Sequence, residues 1–266
     1  MYEFVYDTLT DAQRDAYLDR IGWEGNCPLT REALNELVYL HQCHVPFENM
    51  DLYQGAQTVP LDAASLFDKV VTRRRGGFCF ELNGSFLLLL RTLGFDAYAC
   101  VCRVAATRLE LGNLAHRAVL VRLDGKLYLC DVGLGGPMAP FAVEVSEQRQ
   151  TVHGETYWVE PTEQGWYLQR RLNEQGEVGN VIIFAPLPFL AKDFEPLCQA
   201  LTSSPTGHFR SRLMANLRRP DGYLNFAGTT LKVRDASGRH EEEFTEDQLP
   251  RMLEERFGLT WEIPKE

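Results

Sequence analysis

In the stretch Arg75-Gly-Gly-Phe-Cys-Phe-Glu-Leu-Asn83, two glycines lead a cysteine, Cys79, into an apolar run. Phe86, Leu87, Leu90 and Leu93 recur at helical spacing and Gly94 supplies a stop, which predicts a helix opening at the cysteine. Glycines let the backbone turn tightly and approach another group closely. A sulfur on the first helical turn sits at the positive end of the macrodipole, where thiolate is favoured over thiol. These features point to a sulfur nucleophile. The competing reading is a small buried hydrophobe, a common fate of free cysteines. With seven cysteines in the chain, only the partners of Cys79 can decide between the two.

The partners a thiolate needs are a base and a group that orients the base. The segment from His116 to Asp131, "HRAVLVRLDGKLYLCD", offers both. Asp124-Gly125 between alternating runs is a strong signal for a two-residue hairpin turn. Leu123 then opposes Lys126, and counting outward in step sets Asp131 opposite Ala118. His116, two residues from Ala118, shares that face with Asp131 on a diagonal of about 7–8 Å. The register thus places a carboxylate where it can orient an imidazole. A strand-edge histidine and a turn aspartate are the alternative identities of these residues; their conjunction with Cys79 favours a Cys-His-Asp relay. Gly133-Leu-Gly-Gly136 lacks the spacing of a dinucleotide fingerprint.

Three groups of elements must carry these residues. Residues 1–93 read as a helical bundle holding the nucleophile. Thr30 caps a helix stopped by Pro46, and Asp62 caps another over 63–71 with Leu66, Phe67, Val70 and Val71 inward. Residues 94–190 read as short strands at 96–104, 116–123, 126–133, 156–160, 165–172 and 180–186, a β-rich unit with the histidine and aspartate. Residues 191–266 combine a helix from Asp193, a hairpin over 222–235 and a last helix over 246–258. The expectation is an α+β protein.

The 266 residues suffice for a substantial core. A net charge of −10 argues against general nucleic-acid binding, and Arg73-Arg74-Arg75 is too short a basic run to alter that. The N-terminal stretch lacks a basic region followed by an apolar one, as a signal peptide would have. The longest apolar run, 86–90, is far too short to span a bilayer. The cysteines show neither disulfide-scaffold density nor zinc-like pairs, and Cys100 and Cys102 fit an alternating strand better than a metal site. No metal, no membrane partner and a reducing cytoplasm are the expectations.

Four stretches carry a resemblance: "RIGWEGNCPLTREALNELVYLHQCHVPFENMDL", "RRRGGFCFELN", "AHRAVLVRLDGKLYLCDVGLGG" and "HFRSRLMANLRRPDGYLNFAGTTLKVR". Their order, from about residue 17 to about residue 235, resembles that of arylamine N-acetyltransferases. The resemblance implies a papain-like cysteine-enzyme fold with an N-terminal helical bundle, a central β-barrel and a C-terminal α/β lid. It also implies ping-pong transfer of acetyl from acetyl-CoA to arylamines, arylhydrazines or N-hydroxyarylamines. Cys79 maps to the nucleophile, His116 to the base and Asp131 to its orienting acid. Two departures stand out: Leu134 replaces an aromatic usual in the family, and "EPLCQALTSSP" lacks an expected asparagine.

An acidic chain that binds a polyanionic acyl-CoA needs local donors. Gly135 and Gly136 can present backbone N–H groups to phosphate oxygens, and Ser203, Ser204 and Thr206 are candidate hydroxyl donors. Arg75 is expected to pair with Glu48 as a brace for the nucleophile. Phe47, Phe78, Val104 and Leu134 are candidate pocket walls, with core packing as their alternative role. Monomer and weak dimer both fit. Two other chemistries use the same relay: an amide synthase closing a macrolactam, and a papain- or transglutaminase-like hydrolase. The Pro46-Phe-Glu-Asn49 block fits the acetyltransferases better than a protease.

Overall fold

The computed structural model describes residues 4–105, 112–136, 138–204 and 206–261. It opens with α1 (Asp11–Ile21) and α2 (Arg31–His44), then a short strand β1 (Phe47–Glu48), α3 (Met50–Tyr53), α4 (Ala63–Phe67) and α5 (Cys79–Leu93). The strands β2 (Asp96–Val104), β3 (His116–Leu123), β4 (Lys126–Cys130), β5 (Val143–Glu144), β6 (Gln150–Val152), β7 (Glu155–Pro161), β8 (Tyr167–Leu172) and β9 (Val178–Phe184) follow. The remainder is α6 (Ala191–Thr202), α7 (His208–Ser211), β10 (Met214–Arg219), β11 (Gly222–Ala227), β12 (Thr230–Asp235), β13 (Gly238–Glu243) and α8 (Leu249–Phe257).

Local chemistry accounts for the helix ends. The Thr30 hydroxyl accepts the Ala33 N–H, Asp62 accepts that of Ser65, and α5 stops at Gly94 in the left-handed conformation. The helix expected over 63–71 instead divides. After Phe67 the chain widens into a π-helical turn, Asp68–Thr72, which keeps Val70 and Val71 buried while Lys69 reaches toward α5.

Strands β5-β4-β3-β2-β9-β8-β7-β6 form one antiparallel sheet. It curls until the Val159 N–H on β7 donates to Ser146 O beyond β5, at 2.9 Å, so the sheet nearly closes. Alternation divides its side chains. Cys100, Cys102, Ala118 and Leu120 fill the barrel interior with Phe141, Tyr157 and Phe184, whereas Ala99, Val101, Val119 and Val121 pack with the helices. Asp124 and Gly125 both have positive φ, and Leu123 pairs with Lys126 and Val119 with Cys130, which is the register read from the turn. The strand expected over 126–133 ends at Cys130. Beyond it the Val132 and Gly133 N–H groups donate to the side chains of Asn83 and Asp131 instead of continuing the ladder.

The second sheet has the order β1-β10-β11-β12-β13, with α8 packed on it through Leu249, Met252, Leu253 and Phe257. Its edge strand β1 comes from far upstream, so Phe47 and Glu48 reach the glycine loop before Cys79 from a sheet otherwise built of C-terminal residues. Among the described residues no helix is long and apolar enough to cross a membrane.

Candidate active site

Cys79 is the first residue of α5 and is only 5% exposed. Its Sγ lies 3.7 Å from the carbonyl oxygen of Ala115, the residue before His116. The helix begins there because Gly76 and Gly77 let the loop press against the Pro46-Phe-Glu-Asn49 segment. The Gly77 carbonyl accepts the Glu48 N–H at 2.9 Å, and a Cβ on Gly76 would lie 1.8 Å from Pro46 O. No larger residue fits at Gly76.

The hairpin delivers the other two groups. His116 Nε2 lies 2.6 Å from Asp131 Oδ2, with His116 1% and Asp131 6% exposed. Burial works against charge on the imidazole. The Asp131 carboxylate, its hydrogen bond and the Cys79 sulfur outweigh it and lift the His116 pKa to about 10. Burial likewise pushes Asp131 upward, but the His116 charge and bond and the donors Asn83 and Gly133 hold it below its ordinary value. With Nε2 committed to Asp131, Nδ1 is the ring nitrogen left for the sulfur.

Asn83 has no role in the sequence reading. It lies four residues after Cys79, one turn along the same face of α5. Its Nδ2 donates to Asp131 Oδ1 at 3.0 Å and to Arg117 O at 2.7 Å, while its Oδ1 accepts the Val132 N–H at 3.0 Å. One buried amide therefore ties the helix that starts at Cys79 to β3 and to the segment holding Asp131. A polar amide at i+4 from Cys79, on the same helical face, is the signal that could have found it.

The expected pairing of Arg75 with Glu48 is present at 2.8 Å, inside a larger network. Lys69 Nζ lies 2.7 Å from both Asp51 Oδ2 and Glu81 Oε1, and Arg75 also reaches Asp51 at 3.0 Å. Glu81 Oε2 accepts the Phe78 N–H at 3.0 Å, which caps the start of α5. Lys69, Glu48 and Glu81 are buried. Burial raises Glu81, with Lys69 opposing, whereas the same partners carry Lys69 upward against its own desolvation.

Phe47 and Phe78 are brought together by Phe209 of α7, whose ring centroid lies 6.4 Å from the first and 5.3 Å from the second. Gly135 adopts a φ of +71°, and a Cβ there would meet the Phe47 ring at 2.8 Å. Val104 ends β2 opposite Ile182, and half-buried Leu134 packs on the barrel core. Ser203, Ser204 and Thr206 are exposed at the end of α6, with the Ser204 and Thr206 hydroxyls 3.3 Å apart. Their N–H and hydroxyl groups lie on the chain segment that leads into Phe209.

The chain is similar to known proteins over most of its length. A family model described as N-acetyltransferase matches residues 30–265. The chain belongs to the arylamine N-acetyltransferase family. It is 31% identical over 252 residues to an arylamine N-acetyltransferase of Mycobacterium bovis, covering 92% of this chain and 88% of that one. The solved arylamine N-acetyltransferase of Salmonella typhimurium superposes with a TM-score of 0.87 at 25% identity, covering 94% of this chain and 92% of that one. That of Mycobacterium marinum in complex with CoA gives 0.84 at 27% identity over 92% of each chain. The α+β architecture of helices, barrel-like sheet and second sheet is that of the family.

Proposed function

We propose that this chain transfers acetyl from acetyl-CoA to arylamines, arylhydrazines or N-hydroxyarylamines through an acetyl-cysteine at Cys79. The observation that carries the reading is a buried imidazole bound to a buried carboxylate at 2.6 Å beside a cysteine at a helix start. His116 accepts the thiol proton, giving a thiolate–imidazolium pair that Asp131 stabilises. The thiolate attacks the thioester carbonyl, a carbon–sulfur bond to Cys79 forms, and CoA leaves with the proton from His116. The amine then attacks the acetyl-cysteine while His116 takes the amine proton; the new N–acetyl bond forms as the carbon–sulfur bond to Cys79 breaks, and Cys79 leaves as the thiolate beside the His116 imidazolium. At both steps an oxyanion is met by the backbone N–H of Cys79, one of the first-turn amides that lack helical acceptors.

For the donor, backbone N–H groups of Gly135 and Gly136 and the hydroxyls of Ser203, Ser204 and Thr206 would hold the phosphate-bearing portion, and Phe47, Phe78, Val104 and Leu134 would line the acceptor side. The CoA complex of the Mycobacterium marinum relative supports an acyl-CoA ligand for this fold. A reducing cytoplasm suits the seven cysteines, all of them free thiols.

Incubation with acetyl-CoA and no amine should add one acetyl mass to the peptide holding Cys79 and release CoA. Adding an arylamine or hydrazine should then discharge it. Cys79→Ser should abolish both events with the fold intact. Acetylation elsewhere, or none, would overturn the covalent mechanism.

A further inference from the structure

Beyond the triad, one side-chain amide occupies an unusual position. Gln42, on α2 and 1% exposed, donates from Nε2 to Asp131 O at 2.9 Å and to Ala139 O at 2.8 Å. These two carbonyls mark where the chain leaves the barrel after β4 and where it returns toward β5. Both accept only, so they fix which end of the amide carries the nitrogen. The free end, Oε1, accepts from Arg218 Nε at 2.7 Å. Arg218, on β10 of the second sheet, also donates to Met138 O at 2.8 Å and pairs with Glu155 Oε1 on β7 at 2.6 Å.

We infer that Gln42 and Arg218 form a staple across the neck of the Asp131–Ala139 turn and act as positioning residues for acyl transfer. The inference rests on the function proposed above. The turn carries two groups that must be placed at once: the Asp131 carboxylate that orients His116, and Gly135 and Gly136 with their candidate phosphate-facing amides. Nothing else described joins both ends of this turn to one side chain. Gln42 pins the ends, and the planar guanidinium of Arg218 holds Gln42 in register while taking the neighbouring Met138 carbonyl. The second sheet thereby reaches the triad acid through two side chains. A device of this kind acts on donor binding and on imidazole orientation together, which a purely structural bond would not do.

Gln42→Glu is the sharpest perturbation. It preserves shape and strengthens the pairing with Arg218 but replaces two donors by a carboxylate facing two carbonyl oxygens. Misplacement of reacting groups by about 1 Å costs on the order of 10²-fold in rate. We expect kcat/KM for acetyl-CoA to fall by about that factor, with KM for acetyl-CoA raised and kcat lowered. The iodoacetamide profile of Cys79 should also move to higher pH. Arg218→Lys leaves both Gln42 donors in place but loses the fork, and should show the same pattern more weakly. It serves where Gln42→Glu does not fold by circular dichroism. If the wild type itself forms no acetyl-cysteine, the functional reading fails. If the wild type acetylates and a folded variant keeps its KM, kcat and alkylation profile while only its melting temperature drops, the staple is structural and the inference is overturned.

Discussion

Replacing Asp131 by asparagine changes one oxygen to nitrogen yet reverses the proton arrangement of the site. Asp131 Oδ1 accepts from Asn83 Nδ2 and from the Gly133 N–H, both at 3.0 Å. Those donors oblige Asp131→Asn to turn its amide oxygen toward them and its NH₂ toward His116 Nε2. The ring must then accept at Nε2, which puts its proton on Nδ1, the nitrogen that should receive the thiol proton. The imidazolium also loses the carboxylate that lifts its pKa to about 10. In a serine triad the equivalent change lowers turnover about 10⁴-fold, or about 5.5 kcal/mol of transition-state stabilisation at 1.36 kcal/mol per decade. A cysteine nucleophile, more acidic than serine, sets that figure as an upper bound.

The assay is single-turnover release of CoA from acetyl-CoA, with the His116 ring titrated by NMR and the fold followed by circular dichroism. The signs of the linked stability are fixed. His116 is raised above 6.5, so its contribution is fully present below that pH and is lost as pH rises through about 10. Asp131 is held below 3.8, so its contribution is present above that value and lost as pH falls through the folded one. Both dependences should flatten in Asp131→Asn. A folded variant with activity within about threefold of wild type and an unmoved His116 titration would refute the tautomer reasoning.

Lys69→Met strips the one cation within 3 Å of Glu81 among the described residues and leaves that carboxylate buried; a loss of about 3–5 kcal/mol is expected from urea unfolding, partly restored by adding Glu81→Gln. An additive double variant would show that the two do not interact. Gly76→Ala drives a Cβ into Pro46 O and should cost at least about 1–3 kcal/mol, with loss of acyl transfer as the loop lifts from β1. An unchanged melting temperature would mean that the loop can shift freely.

Much of this arrangement is legible in the sequence wherever the cause is local. Thr30, Asp62 and Gly94 mark helix ends by their own side chains or φ, and Asp124-Gly125 fixes a register that carries as far as His116 and Asp131. Strands β1, β5, β6, β10 and β13 are not legible. β1 and β5 are two residues long, and β13 is a polar edge whose glutamates alternate with nothing apolar. The partners that complete the site are distant for the same reason. Asn83 meets Asp131 across 48 positions and Gln42 meets Arg218 across 176, pairings that no local period encodes.

The charge network under α5 gives a reason for such distant pairings. Glu48 sits on β1, Asp51 on α3, Lys69 in the π-helical turn, Arg75 in the glycine loop and Glu81 on α5. Apolar replacements of buried ion pairs are often as stable or more so, so stability alone does not call for five charges here. Apolar side chains, however, tolerate a slip of the helix by a fraction of a turn. A carboxylate that must meet both Lys69 Nζ and the Phe78 N–H within 3.0 Å does not. Cys79 is two residues before Glu81, so the register that satisfies Glu81 also sets where the sulfur stands relative to Ala115 and His116. The Cys79 sulfur is therefore aimed from below by charge and from the side by Asn83.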